Sequence, residues 1–316
     1  VGGDGMSAPR FSIVTPTFNR APMLERMLRH LLTVDGILGC ELIVIDDGST
    51  DGTAGVLAEF GRDMPDLLHV LTLTNGGPAR ARNAGVHAAC NERILFIDDD
   101  VFPRRDMLEQ HWQMLESGYD GSQGLLLWHQ EIAMDPLIRY IDSRGSQFAF
   151  DQIKRPEELG GEHVYTGNFA VRKDVVLGAG GFCESIFDCE LPIAAFEDTV
   201  LGYAMKKNGA RLGFQPLAIA DHLHPMTEQA FLKREYNVGS GIAHLQRYFP
   251  EITRDLGVDR LGRLLGLQIT LLSAVNAVPS LGRVMGYSLR MRLRHRESFL
   301  RGYRRYERAY PRTEGA

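Results

Sequence analysis

Over the first 130 residues, short apolar runs alternate with segments whose apolar residues recur at helical spacing. "FSIVT" (11–15), "ELIVID" (41–46), "LLHVLTL" (67–73) and "RILFID" (93–98) read as strands. Three helical segments lie between them: "MLERMLRHLL" opened by Pro22, "STDGTAGVLAEF" with a capping stretch from Ser49 to Asp51, and the glycine-opened "GGPARARNAGVHAA" (76–89). A helix over about 104–116 and a strand around "GLLLWH" follow. Strands apolar on both faces and joined by helices predict an α/β fold with a doubly wound, mostly parallel sheet.

Beyond about residue 130 the pattern changes. An irregular stretch (131–163) precedes a strand in "YTGNFAVR", a helix in "AAFEDTVLGYAMKKNG" stopped by Gly209, a strand in "LAIADHLHP" and a long helix in "TEQAFLKREYNVGSGIAHLQRYF". From about Leu256 the chain is helical and arginine-rich. The expected organisation is a disordered leader or expression remnant over 1–9, a catalytic domain over 10–250 and a basic helical extension over 251–316. Within the domain, a nucleotide-binding half (about 10–130) precedes an acceptor half (about 131–250).

Hydrophobic residues at 44% and charged residues at 24% suit a soluble globular protein. Charge is unevenly placed: ten arginines stand against two glutamates between Arg283 and Arg312 in a chain of net charge -5. An acidic body with a basic tail points to an anionic partner for the tail. A solvated packed helix, an anionic membrane surface and a subunit contact each fit that tail, and nothing in it favours nucleic acid. The longest apolar stretch, between Arg263 and Arg283, is interrupted by Gln268, Thr270, Ser273, Asn276 and Pro279, a poor membrane span. Cys40 and Cys90, beside predicted strands, are expected as buried, reduced thiols of a cytoplasmic protein.

Two acidic groups end predicted strands: Asp46-Asp47 and Asp98-Asp99-Asp100. One such group is often a helix cap or a solvated turn, but right-handed crossovers bring both to one rim, where open α/β sheets bind ligands. Like charges so placed call for a cation. "NGGPARARNAG" offers Arg80 and Arg82 at a glycine-opened helix start, suited to a phosphate; it is neither a P-loop nor a dinucleotide fingerprint. His222 and His224 alternate along one predicted strand face and can ligate a Mn²⁺-class ion beside carboxylates. Glu197-Asp198 opens an otherwise apolar helix, as a cap or as a general base.

"SIVTPTFNR", "LIVIDDGSTDGT", "GGPARARNAG", "ILFIDDD", "TGNFAVRKDVVLGAGGF" and "FEDTVLGYAMKKNG" occur in the order and spacing of family 2 glycosyltransferases. Over about residues 10–245 the chain resembles these inverting nucleotide-sugar enzymes of GT-A fold. The resemblance implies a nucleotide-sugar donor, UDP or dTDP first, and a glycan or lipid-linked acceptor. It places Pro16, Thr17 and Asn19 in the nucleotide loop, Asp47 on the base, and Arg80 or Arg82 beside base or phosphate. It makes Asp98 a ribose neighbour, with Asp99 and Glu197 also at the donor. It puts Asp100 on Mn²⁺ or Mg²⁺ with His222 or His224 completing the metal site, and makes Asp198 the catalytic base. It further implies work in polysaccharide biosynthesis at the inner membrane face. A catalytically inactive nucleotide-sugar binder and a metal-dependent phosphotransfer enzyme are the rivals.

Overall fold

The computed structural model describes residues 10–145, 147–187, 196–258, 265–276 and 286–311; the expected leader and Cys189 lie outside them. In chain order the elements begin β1 (Ser12–Thr17), α1 (Ala21–Leu31), β2 (Glu41–Asp46), α2 (Thr53–Asp63), β3 (Leu68–Thr72), α3 (Pro78–Ala88) and β4 (Arg93–Ile97). Next come β5 (Val101–Pro103), α4 (Met107–Glu116), β6 (Gly121–Trp128), α5 (Pro136–Asp142), β7 (Asn168–Arg172), α6 (Lys173–Gly178), α7 (Glu197–Lys207) and β8 (Leu212–His222). Four further helices are described: α8 (Glu228–Tyr248), α9 (Pro250–Asp255), α10 (Leu265–Asn276) and α11 (Tyr287–Ala309).

Contacts divide the described residues into two compact units. One holds those within 1–132, 148–184 and 197–224, the other those within 133–147, 185–196 and 225–316. The second unit takes in all described residues from 225 onward together with two shorter stretches. The reason is packing: α8 crosses α11 at glycines. A Cβ on Gly239 would overlap the Phe299 carbonyl oxygen, and one on Gly302 would overlap that of Tyr236. Ser240 Oγ donates to Gly302 O at 3.0 Å, and His244 Nδ1 lies 2.9 Å from the Tyr306 hydroxyl.

The first unit is a sheet ordered β3-β2-β1-β4-β7-β6-β8-β5. β1 pairs parallel with β2 and β4, β2 with β3, and β6 with β8, whereas β7 and β5 run antiparallel to their neighbours. Alternation along the strands splits the apolar side chains between two faces. On one, Ile13, Leu42, Val44 and Leu95 pack in a single cluster with Leu24 and Leu28 of α1, Leu57 and Phe60 of α2, and Trp112 of α4. On the other, α3 lies close against β1 and β2; a Cβ on Gly85 would stand 2.5 Å from Val14 Cγ1 and 2.9 Å from Ile45 Cδ1. Helices on both faces make the fold doubly wound, as expected, though the sheet is mixed.

Behind the rim the β6–β8 register slips at Gly124/Leu125. Asn168 fills the gap, its Nδ2 donating to Leu125 O at 3.2 Å and Ala218 O at 2.9 Å. Its Oδ1 faces His111 Nε2 at 2.9 Å, and His111 Nδ1 faces Ser122 Oγ at 2.8 Å. The slip leaves ladder carbonyls unpaired, and one buried amide satisfies two of them.

Of the thiols expected to be buried, Cys40 is, and burial pushes it up to about 11; Cys90 is exposed, in the connection between α3 and β4. Among the described residues no helix is long and apolar enough to cross a membrane.

Candidate active site

The C-terminal ends of β2, β1 and β4 lie side by side, with β1 pairing to a different parallel strand on each flank. This is where strand order reverses and where such sheets leave a crevice. The three aspartates follow β4 in a tight turn, Val101 N donating to Asp98 O at 3.1 Å, and each carboxylate finds its own partners. Asp98, at 35% side-chain exposure, accepts from Arg82 Nη2 at 2.7 Å. Asp99 accepts from Thr17 Oγ1 at 2.7 Å and Arg20 Nη1 at 2.8 Å. Asp100 accepts from Arg20 Nη2 at 2.9 Å and faces His222 Nε2 at 3.4 Å and His224 Nδ1 at 3.0 Å.

The histidines owe their position to β5, three residues that sequence patterning passes over. β5 pairs Val101 with His222, and Leu223 N donates to Asp100 O at 2.8 Å. β8 ends at His222, so His224 lies just past the strand, yet the two rings still stack, 5.4 Å apart and 9° from parallel. Trp128 and Phe148 flank His222. Burial alone would raise the Asp100 carboxyl, but hydrogen bonds to both imidazoles and the Arg20 charge outweigh it and hold Asp100 well below the usual carboxylate range. Asp99, with less help, is pushed by burial up to about 6 against Arg20 and Thr17.

The opposite wall begins at α7. Glu197 is buried and accepts from Arg82 Nη1 at 2.8 Å, so one guanidinium ties the α7 N-terminus to the turn after β4. Part-buried Asp198 accepts from the Thr199 amide at 2.7 Å. Burial first, then the Glu197 charge, pushes its carboxyl up to about 7, with Arg82 and the amide opposing. A carboxyl poised there is suited to accept a proton near neutral pH.

The remaining expected residues divide. Thr17 reaches the centre through Asp99, and Pro16 precedes it in β1 opposite Ile45. Asn19, the one non-glycine with positive φ among the described residues, accepts from Thr50 N at 2.7 Å and fastens its loop to the one after β2. Asp47 accepts from the amides of Gly76 at 2.9 Å and Gly77 at 2.8 Å and from Asn75 Nδ2 at 3.2 Å, fastening the glycine turn before α3. Asp46 accepts from Ser49 N at 2.8 Å and closes its own turn. Arg80 turns back to Thr74 O at 3.2 Å, whereas Arg82 enters the site.

Arg20 is the residue that sequence reasoning missed. It closes the stretch "SIVTPTFNR", and only the folded turn shows that its two nitrogens divide between Asp99 and Asp100. Tyr165 is a second; burial pushes its hydroxyl up to about 12, and the Asp198 charge contributes.

Asp100, His222 and His224 each offer a ligand atom, all within 4.8 Å of one another. Among the described residues His222 Nδ1 is buried without a partner, and Nε2 is the nitrogen that faces Asp100. One carboxylate and two imidazoles fit a divalent ion, and the nitrogens suit Mn²⁺ better than Mg²⁺, which prefers oxygen.

Among curated proteins, 262 residues align at 27% identity with the pre-mycofactocin glycosyltransferase of Mycobacterium tuberculosis, covering 80% of this chain and 51% of that one. The chain thus spans about half the length of that relative. Among solved structures, a Pyrobaculum calidifontis mannosyltransferase in complex with GDP-Man and Mn²⁺ superposes with a TM-score of 0.66 at 18% identity, over 99% of this chain and 90% of that one. S. aureus TarS 1-349 in complex with UDP-GlcNAc gives 0.56 at 19% identity, over 95% and 91%. The likeness to both is one of fold. The family model described as Glycosyl transferase family 2 matches residues 12–177, more than half of the 316-residue sequence, and the chain belongs to that family.

Proposed function

We propose that the chain is a metal-dependent, inverting glycosyltransferase that moves a sugar from a nucleoside diphosphate to a hydroxyl of a glycan or lipid-linked acceptor. The observation that carries the reading is the pairing, in one unit, of a metal-type triad at Asp100, His222 and His224 with a carboxyl at Asp198 raised into the neutral range. Asp198 takes the proton of the acceptor hydroxyl as its oxygen bonds to the anomeric carbon. The bond from that carbon to the diphosphate breaks on the opposite face, which inverts the centre and needs one base only.

Asp100 with His222 and His224 would hold Mn²⁺ or Mg²⁺, which when bound supplies positive charge to the departing diphosphate. Arg82 holds Asp98 and Glu197 in place, so Asp98 can face the ribose while Glu197 tunes its neighbour. Thr17 and Asn19 set the loop beside the nucleotide, with Pro16 as its rigid entry. Asp47, with acceptor capacity left on Oδ1, suits the imide N–H of uracil or thymine, so UDP and dTDP donors come first. Arg80, which turns back to Thr74, would have to swing from that carbonyl to serve the base or phosphate side.

Calorimetric titration of UDP, dTDP and GDP, with and without Mn²⁺, against wild type and Asp100→Ala tests the reading. Metal-dependent binding of one nucleotide, lost in the variant, is expected. Absence of binding by any of them under metal would overturn it.

A further inference from the structure

The second unit carries a cavity of about 420 Å³ between α11, α10 and the end of α5. Arg144, Arg292 and Arg296 line it together with Leu272, Leu293 and Phe299. Arg292, Arg296 and Phe299 recur at four and three residues, one face of α11.

No carboxylate lines this cavity among the described residues. Three carboxylates on the neighbouring helices, Glu228, Glu235 and Glu297, have partners of their own, Glu235 on the His295 that also lines the cavity. Glu228 pairs with Arg294 and reaches Arg290 at 3.9 Å. Glu235 pairs with His295 at 2.5 Å and Arg234 at 3.0 Å. Glu297 accepts from Ser273 at 2.7 Å and Arg301 at 2.8 Å. Arg144 reaches the Tyr140 hydroxyl, and partial burial alone holds the Arg296 guanidinium below its ordinary range. Guanidiniums gathered over apolar walls, with no carboxylate in the lining among the described residues, leave electrostatic and hydrophobic complementarity unmet on one surface.

We propose that this cavity is a binding site for the phosphate headgroup of an anionic lipid, with the first part of its acyl chain against Leu272, Leu293 and Phe299. The combination selects that class: a free phosphate uses the arginines and leaves the apolar wall wet, and a neutral lipid leaves the arginines unpaired. The site is made of the helical unit alone and does not depend on the transfer reaction. It turns the diffuse basic character of the tail into a defined contact. A spanning helix is not needed for it, and the described helices supply none.

The test uses the full chain and sedimentation with vesicles of phosphatidylcholine, alone or with about a quarter phosphatidylglycerol. Binding is expected only with the acidic lipid. The double variant Arg292→Gln/Arg296→Gln should weaken it about tenfold or more. The charge-matched pair Arg304→Gln/Arg308→Gln, away from the cavity on the same helix, should weaken it no more than about threefold. Melting curves matching wild type establish that both variants fold, and Leu293→Glu, which keeps the arginines, should also weaken binding. Equal losses in the two arginine pairs would make the attraction diffuse and overturn the site. So would binding that ignores the acidic lipid, full competition by millimolar inorganic phosphate, or displacement from vesicles by a short oligonucleotide.

Discussion

Arg82 donates to Glu197 across 115 residues of sequence, Nη1 to Oε1 at 2.8 Å, while its other terminal nitrogen holds Asp98 at 2.7 Å. The guanidinium and Glu197 are both buried, so neither charge has water to fall back on. Arg82→Ala should destabilise the protein by about 3–5 kcal/mol, the usual cost of stranding a buried partner. Arg82→Met with Glu197→Leu should recover much of that stability in denaturant unfolding while turnover stays low. Equal stability of single and double variants would show that Glu197 is not stranded.

Asp198→Asn keeps the shape of the α7 terminus and removes the proton acceptor. Donor affinity should stay within about threefold of wild type while turnover drops by about two to four orders of magnitude, the range for a lost general base. Near-normal turnover in a steady-state assay would take Asp198 out of that role.

The raised Asp198 carboxyl sets a pH limb. Below about 7 it carries a proton and cannot accept another, so kcat/KM should fall about tenfold per pH unit on the acid side and level off above. Glu197→Gln removes a like charge, favours the ionised form and should move the limb to lower pH. A limb that stays put in that variant would place its origin elsewhere.

His111 is fully buried, and burial pushes it down to about 4 from an ordinary value of 6.5. Between those values the unfolded chain binds the proton and the folded one does not, so stability should fall as pH falls from 6.5 toward 4. The loss should reach up to about 3 kcal/mol. His111→Gln should show a shallower slope over the same window in urea unfolding, and an unchanged slope would exclude His111 as the source.

The glycine crossing in the second unit predicts a local failure. Gly239→Ala or Gly302→Ala drives a methyl into a facing carbonyl and should cost at least about 1–3 kcal/mol. Hydrogen exchange should quicken in α8 and α11 while β1, β2 and β4 keep their protection. Loss of protection throughout would mean the units unfold as one.

Much of the architecture was written into local pattern. Apolar runs of four to six residues, helical spacing between them and Gly209 as a stop suffice to predict strands, helices and a doubly wound sheet, because burial on both faces demands those runs. The direction of β7 was not legible: an antiparallel strand buried between neighbours has the same composition as a parallel one. β5 was too short to show a period.

The chemistry divides in the same way. Sequence alone marked Asp98, Asp100, Glu197, Asp198, His222 and His224 by residue type and place in the chain. It could not separate Arg80 from Arg82, since two positions on one helix differ in function only through the direction each faces. Nor could it show Asp47 fastened to backbone amides, or Arg20 spanning Asp99 and Asp100, since partners that far apart along the chain meet only once β1, β2 and β4 lie side by side. Pattern along the chain reports burial and periodicity; which charges neutralise one another is decided by distance, and distance exists only in the folded protein.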